Sequence, residues 1–166
     1  MKKITILVLC LALLLPILGC NQPKKSVYVV GVDIEPEDIT EFYYTVSTST
    51  FPPHYQRYRF YKEDGAYKFF HETREGDQFP LTEADATQTG TVTLTGDQWS
   101  DFLVLLVGGR VIARQEHLDS GDDGPWLYLY WTGDWTGDKG DIQEFSFVSY
   151  ETRLAFESLC ESLRGS

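Results

Sequence analysis

The first half of the chain alternates apolar and polar positions, as expected for strands that place one face in a core. In segment 39–50, Phe42, Tyr44 and Val46 alternate with more polar neighbours. The pattern predicts three further strands, over segments 55–62, 66–74 and 90–94. Gly65 ends the tight turn before the third strand, at a position where a positive φ angle is expected.

Two helices are predicted from capping residues followed by apolar residues at helical spacing. Thr95 and Gln98 have the spacing of a capping box, in which each side chain binds the amide of the other residue. The apolar stripe that follows comprises Trp99, Phe102, Leu103 and Leu106, and the helix is expected to end before Gly108 and Gly109. Ser149 is expected to cap the second helix, whose stripe comprises Phe156, Leu159, Cys160 and Leu163.

Together these elements predict an α+β domain with the order β-β-β-β-α-β-β-α. The last two strands are expected over 126–132 and 142–148, and segment 110–124 is expected to be irregular or short-stranded. An antiparallel sheet of about six strands would then carry two helices on one face. Residues 31–166 are expected to form a single domain.

The N-terminal segment has the composition of a signal peptide. Lys2 and Lys3 precede an apolar run over 4–18, which is shorter than the roughly 20 residues of a spanning helix. The residues that follow are Ile17-Leu18-Gly19-Cys20. This segment resembles the lipobox of bacterial lipoproteins, in which a diacylglyceryl group is attached to the cysteine after cleavage before it.

The lipobox resemblance implies a location for the protein and no activity. Gly19 and Cys20 match the pattern, whereas Ile17 and Leu18 replace its commoner leucine and small residue. Residues 1–19 would be a signal peptide, and 20–30 a lipid anchor and polar tether. Cleavage would fall between Gly19 and Cys20, leaving the protein on the outer side of the cell membrane. The alternative is an uncleaved signal anchor with an incidental cysteine.

Charge and cysteine content narrow the classes of partner. The formal net charge is −11, which disfavours nucleic acid as a partner and repels anionic lipid headgroups. A covalent lipid is therefore a better membrane attachment than surface adsorption. Besides Cys20 and Cys10 of the leader, the chain contains only Cys160, so no internal disulfide is expected. Cys160 is expected to be a small buried apolar residue.

A tandem Trp-Thr-Gly-Asp repeat supplies the candidate ligand-binding residues, which are Trp131, Asp134, Trp135 and Asp138. Tryptophan rings beside a hairpin tip could stack on a sugar, and the aspartates could approach a hard cation. The spacing does not match an EF-hand loop, and no metal site or cofactor is assigned. The alternative is a long hairpin turn with one tryptophan packed in the core.

The second and third strands carry the one basic patch of this acidic sequence. It comprises Arg57, Arg59, Lys62, Lys68 and Arg74, interleaved with Tyr55, Tyr58, Tyr61 and Tyr67. Such a patch could bind an anionic partner such as a wall polymer. Its cations could instead pair with acidic neighbours across the strands.

The sequence contains no G-x-S-x-G, H-E-x-x-H, P-loop or dinucleotide-binding glycine pattern. The domain is similar in general pattern to small exported proteins of Gram-positive bacteria, a similarity that implies no activity. We expect a membrane-anchored, non-catalytic binding module with a glycan or protein partner at the cell envelope. The alternative is a small envelope hydrolase or transferase with a dispersed active site.

Replacement of the lipobox cysteine tests the anchor. Cys20→Ser removes the thiol that would carry the lipid, so the variant should leave the membrane fraction when cells are fractionated and immunoblotted. Ser26→Ala, a change nearby in the polar segment, should leave the distribution unchanged. Retention of Cys20→Ser in membranes at wild-type levels would contradict the lipid anchor.

Overall fold

The computed structural model describes residues 27–29, 32–34, 38–115, 124–132 and 141–165. Within these ranges the chain forms a mixed α+β structure with one large antiparallel sheet and two helices. The strands of the large sheet are β3 (Ile39–Thr48), β4 (His54–Glu63), β5 (Ala66–Glu75), β6 (Ala86–Leu94), β7 (Arg110–Gln115), β8 (Trp126–Trp131) and β9 (Asp141–Ser146). The helices are α1 (Gly96–Leu106) and α2 (Tyr150–Arg164).

A small antiparallel ribbon precedes the large sheet. It consists of β1 (Val27–Val29) and β2 (Val32–Ile34), and Ile34 is buried in the main core. β1 falls within the stretch 20–30 that the sequence assigns to the anchor and tether. Backbone pairing therefore begins before residue 30.

The predicted α+β class and antiparallel sheet are confirmed, whereas the predicted strand count and order differ from the structure. The sheet has seven strands in the order β6-β5-β4-β3-β8-β9-β7. The additional strand, β7, lies in the segment 110–124 and pairs with β9. Val111 of β7 lies opposite Phe145 and is completely buried, which gives this short strand its place in the core.

The large sheet has one face covered by helices. Phe42 and Tyr44 of β3 lie on this face, and Phe60 of β4 pairs with Phe42. The Phe60 ring stacks on Phe102 of α1 with 4.1 Å between centroids, and the Phe42 ring contacts Phe156 of α2 at 5.4 Å. Both helices thus pack on the same side of the sheet, as the sequence predicts.

Local turn and cap signals in the sequence are confirmed. Thr95 and Gln98 form the capping box of α1, and the Ser149 hydroxyl accepts the Thr152 amide at the start of α2. Asp64 and Gly65 both have positive φ angles, of 51° and 76°, as a tight hairpin turn requires.

Cys160 is completely buried on the apolar stripe of α2, as expected. Burial raises the pKa of its thiol well above the usual range, with the carboxylates of Glu161 and Glu157 acting in the same direction. A thiol held protonated is a poor nucleophile. Cys160 therefore acts as a core residue.

Candidate functional site

The sheet face opposite the helices is here called the open face. In the part of the chain that the structure describes, neither helix packs on it. Its described side chains on β3, β4, β5 and β8 include Glu41, Tyr43, Thr45, Tyr55, Arg57, Arg59, Tyr61, Lys68, Phe70, Glu72, Arg74, Trp126, Tyr128 and Tyr130. Its accessible side chains include Arg59, Tyr61, Lys68 and Phe70, whereas Thr45, Tyr55, Glu72 and Trp126 are at most 8% exposed. Side chains alternate between the two faces along each strand. The alternation that turns Phe42 into the core therefore turns its neighbours Glu41 and Tyr43 to the opposite face.

One cross-strand row runs through the middle of the open face. Arg59 lies opposite Tyr43 on one side and opposite Phe70 on the other. The row continues from Phe70 to Thr91 of β6 and from Tyr43 to Tyr128 of β8. Side chains directly opposite one another across antiparallel strands are close enough to interact.

Arg59 is the cation of this row, and it is held by three neighbouring side chains. Its guanidinium carbon lies 4.1 Å from the Tyr61 ring centroid and 5.4 Å from that of Tyr43, and it forms an ion pair with Glu41. The Arg59 side chain nevertheless remains 36% exposed. These contacts hold an accessible, planar donor group in one orientation.

A second, more covered cluster lies farther along β4 and β5, where Tyr55 pairs with Arg74. Arg74 donates to both carboxylate oxygens of Glu72, at 2.9 and 3.1 Å, and lies 4.4 Å from the Tyr55 ring. Burial disfavours the Arg74 cation, but the bonds and charge of Glu72 outweigh it and raise the pKa of the guanidinium. With only 12% and 10% of their side chains exposed, Arg74 and Glu72 form a structural pair.

Tyr43 links the arginine row to the next strand. Its ring meets Tyr130 edge to face at 6.1 Å. Burial raises the pKa of Tyr43 to about 12, and both the hydrogen bond with Glu41 and the negative charge of Glu41 act in the same direction. Tyr43 is therefore a neutral hydroxyl at any physiological pH.

On the covered face, β3 and β4 are joined to α2 by two tyrosine–carboxylate hydrogen bonds. Tyr44 donates to Glu157 and Tyr58 donates to Glu161. Tyr44 and Tyr58 lie opposite each other in the sheet, and the two glutamates are one helical turn apart. We call these four residues the clamp.

Two arginines complete the clamp's charge pairing. Arg153 donates to Glu157 at 2.9 Å, and Arg164 donates to Glu161 at 2.8 and 3.1 Å. An open pocket of about 480 Å³ lies against these groups, with Gln56 and Thr73 in its wall.

The pKa shifts of Tyr44, Tyr58 and Glu161 hold these three groups in their ordinary charge states. Burial and the neighbouring glutamates raise the pKa values of Tyr44 and Tyr58, so both phenols stay protonated. Burial opposes ionisation of Glu161, yet the Tyr58 bond and Arg164 outweigh it and lower its pKa. A general acid or base is instead tuned toward the working pH. The clamp is therefore suited to holding α2 on the sheet.

His71 lies near the clamp without entering this hydrogen-bond network. Burial, aided by the charge of Arg164, lowers its pKa, so the imidazole is neutral at pH 7. Its Nδ1 atom is buried and has no hydrogen-bond partner. Among the described residues, no group of three or more His, Cys, Asp or Glu side chains is arranged to hold a metal ion.

The structure describes one of the four candidate ligand residues in the tryptophan–aspartate repeat. Trp131 ends β8, lies opposite Ile39, and packs partly buried against the core. Asp134, Trp135 and Asp138 lie outside the described residues, as do Gly19 and Cys20. A ligand site in this repeat stays a prediction.

The basic patch read from the sequence is divided between the two sheet faces. Arg57, Arg59, Lys68 and Arg74 lie on the open face. Lys62 instead lies on the covered face, 5.7 Å from the Trp99 ring. Tyr58 and Tyr67 also face the helices, because they alternate with the open-face residues. The expected cross-strand ion pairing is found for Arg59 and Glu41.

No protein-family model matches the sequence, and comparisons with curated proteins and with solved structures find no significant match. In the described part of the chain, neither helix has the length and apolar character needed to cross a membrane.

A conservative substitution tests the clamp. Tyr58→Phe keeps the ring and removes its bond to Glu161, so the free energy of unfolding should fall by about 1 kcal/mol in urea titrations. The pKa of Glu161 is lower in the folded state than in the unfolded state, so its ionised form stabilises the fold above the usual glutamate pKa. This stabilisation is lost as pH falls below about 4. The difference in the free energy of unfolding between Tyr58→Phe and the wild type should therefore become smaller below about pH 4.

Tyr150 provides the matched control, because it is 62% exposed on the same helix as Glu161. Tyr150→Phe should change the free energy of unfolding by less than about 0.5 kcal/mol. Equal effects of Tyr58→Phe and Tyr150→Phe would contradict the clamp.

Proposed function

We propose that the protein is a lipid-anchored binding module on the outer side of the cell membrane, and that the open face is its contact surface. The observation that carries this proposal is the cross-strand row of aromatic and cationic side chains on a sheet face that neither described helix covers. Aromatic and arginine side chains are enriched where proteins bind their partners.

Preorganisation supports a binding role for this surface. Its side chains stand on hydrogen-bonded strands, and Arg59 is held by two rings and a carboxylate. A partner that binds Arg59 would therefore do so at a lower entropic cost of ordering this side chain.

The lipobox-like segment supports the location. With a formal charge of −11, the protein would be repelled by anionic headgroups, so a diacylglyceryl group on Cys20 would supply the membrane affinity. The open face would then meet components of the cell envelope, either a glycan or another protein.

An envelope hydrolase or transferase is the second candidate, with the pocket beside the clamp as its site. It has several convergent titratable groups, as a dispersed active site would. However, the phenols there are held protonated and Glu161 is held ionised. This pattern favours binding over acid–base catalysis.

Co-sedimentation with cell walls tests the binding role. Full-length protein in a non-ionic detergent, mixed with purified Gram-positive cell walls, should pellet with the walls in a saturable manner. Tyr61→Ala removes a ring on the open face and should weaken wall binding about tenfold, the equivalent of about 1.4 kcal/mol.

Tyr150→Ala, which removes an exposed ring on the helical side, should bind walls like the wild type. Circular dichroism should confirm that both variants are folded. If the wild type does not pellet with walls, or if the two variants bind equally, the open face is not the contact surface.

A further inference from the structure

We infer that the ligand of the open face is an anionic glycan, meaning a polyhydroxylated chain that carries a phosphate or carboxylate at regular intervals. This inference rests on the proposed function and adds the chemistry of the partner. It draws on the charge, the hydroxyl groups and the dimensions of the face.

The open face carries a small positive charge on β3, β4 and β5, whereas the whole protein is negatively charged. On β4 and β5 the basic residues of this face are Arg57, Arg59, Lys68 and Arg74, and its carboxylates are Glu63 and Glu72. Glu41 of β3 adds one carboxylate, so β3, β4 and β5 together carry four cations and three carboxylates on this face, a net charge of +1 within a chain of formal charge −11. A polyanion would be repelled elsewhere on the protein and attracted here, so charge orients it on this face.

Two of these cations retain donors for an anion. Lys68 donates to Thr93 Oγ1 at 3.0 Å, which uses one of the three protons of its ammonium group. The Arg59 side chain is 36% exposed, and its Nε–H is donated to Glu41. The other four N–H donors of its planar guanidinium match phosphate and carboxylate geometry. These groups can bind the charged substituents of a chain.

Three threonine hydroxyl groups line the β6 edge of the open face, and that of Thr93 lies opposite Lys68. Thr89, Thr91 and Thr93 project from β6 on the open face and are exposed. They pair in register with Glu72, Phe70 and Lys68. Neutral hydroxyls that donate and accept hydrogen bonds suit a polyhydroxylated ligand, and the partly exposed Phe70 and Tyr61 rings offer apolar surfaces for sugar rings.

The dimensions favour a polymer. From Thr91 to Tyr43 the row crosses four neighbouring strands, which lie about 4.8 Å apart, so it extends roughly 14 Å. A ligand that engages both ends of such a row must be an extended chain.

A binding titration with defined polymers tests this inference. Full-length protein in a non-ionic detergent would be titrated with polygalacturonate, poly(glycerol phosphate) and uncharged dextran, with isothermal calorimetry as the readout. At least one anionic polymer should bind and dextran should not, and affinity should fall as salt rises. Binding of only one anionic polymer would identify the carboxylate or the phosphate as the recognised group.

Two lysines provide a matched pair of variants. Lys68→Gln removes a charge from the open face and should weaken polymer binding about threefold, whereas Lys62→Gln removes one from the covered face and should not. The double variant Lys68→Gln/Arg59→Gln should weaken binding about tenfold. Lys62→Gln, which leaves the clamp intact, serves as its control as well.

Three results would overturn the inference: no binding of either anionic polymer, equal losses in Lys68→Gln and Lys62→Gln, or equally tight binding of a single-stranded DNA oligonucleotide. If cell-wall pelleting persists when the polymers fail to bind, the binding role stands and the anionic glycan is wrong. If both fail, the proposed function fails as well.

Discussion

The packing of phenylalanine rings between the sheet and the two helices is the constraint on which the rest of the structure depends. Phe42 contacts Phe156 and Phe60 stacks on Phe102, so the core touches each helix and the two central strands. Aromatic side chains bury roughly 150–250 Å² each, and a one-residue slip of a strand would move them into water. The burial of these rings thereby sets the register of the central strands, and the register places Arg59 and Tyr43 on the opposite face.

β4 has contacts on both faces of the sheet, so its register fixes side chains on each of them. Tyr58 reaches Glu161 of α2 on the covered face, while its neighbour Arg59 stacks on Tyr61 on the open face. The clamp adds directional bonds to a largely apolar interface, and such bonds fix the position of a helix along a sheet more narrowly than apolar contact does. The helix interface and the arrangement of the open face are therefore coupled through a single strand.

Local signals in the sequence predicted the parts of the fold that depend on neighbours along the chain. The capping box at Thr95, the turn at Gly65 and the apolar stripe of α2 were all of this kind. The place of β7 and the position of β8 beside β3 were not predicted, because they depend on pairing between distant segments. The patch of arginines was visible in sequence, but its division between faces required the register. The bond between Tyr44 and Glu157 spans 113 residues and left no local signal.

The division of the sheet into a packed face and a proposed binding face is tested most directly by hydroxyl-radical footprinting of full-length protein, alone and saturated with an anionic polymer. Tyr44 and Tyr58 are 1% and 3% exposed and should be weakly oxidised in both samples. Oxidation of Tyr43, Tyr61 and Phe70 should fall when the polymer is bound, while that of Tyr150 should not change. If the polymer protects Tyr150 and leaves the oxidation of Tyr43, Tyr61 and Phe70 unchanged, the open face is not the surface that binds it.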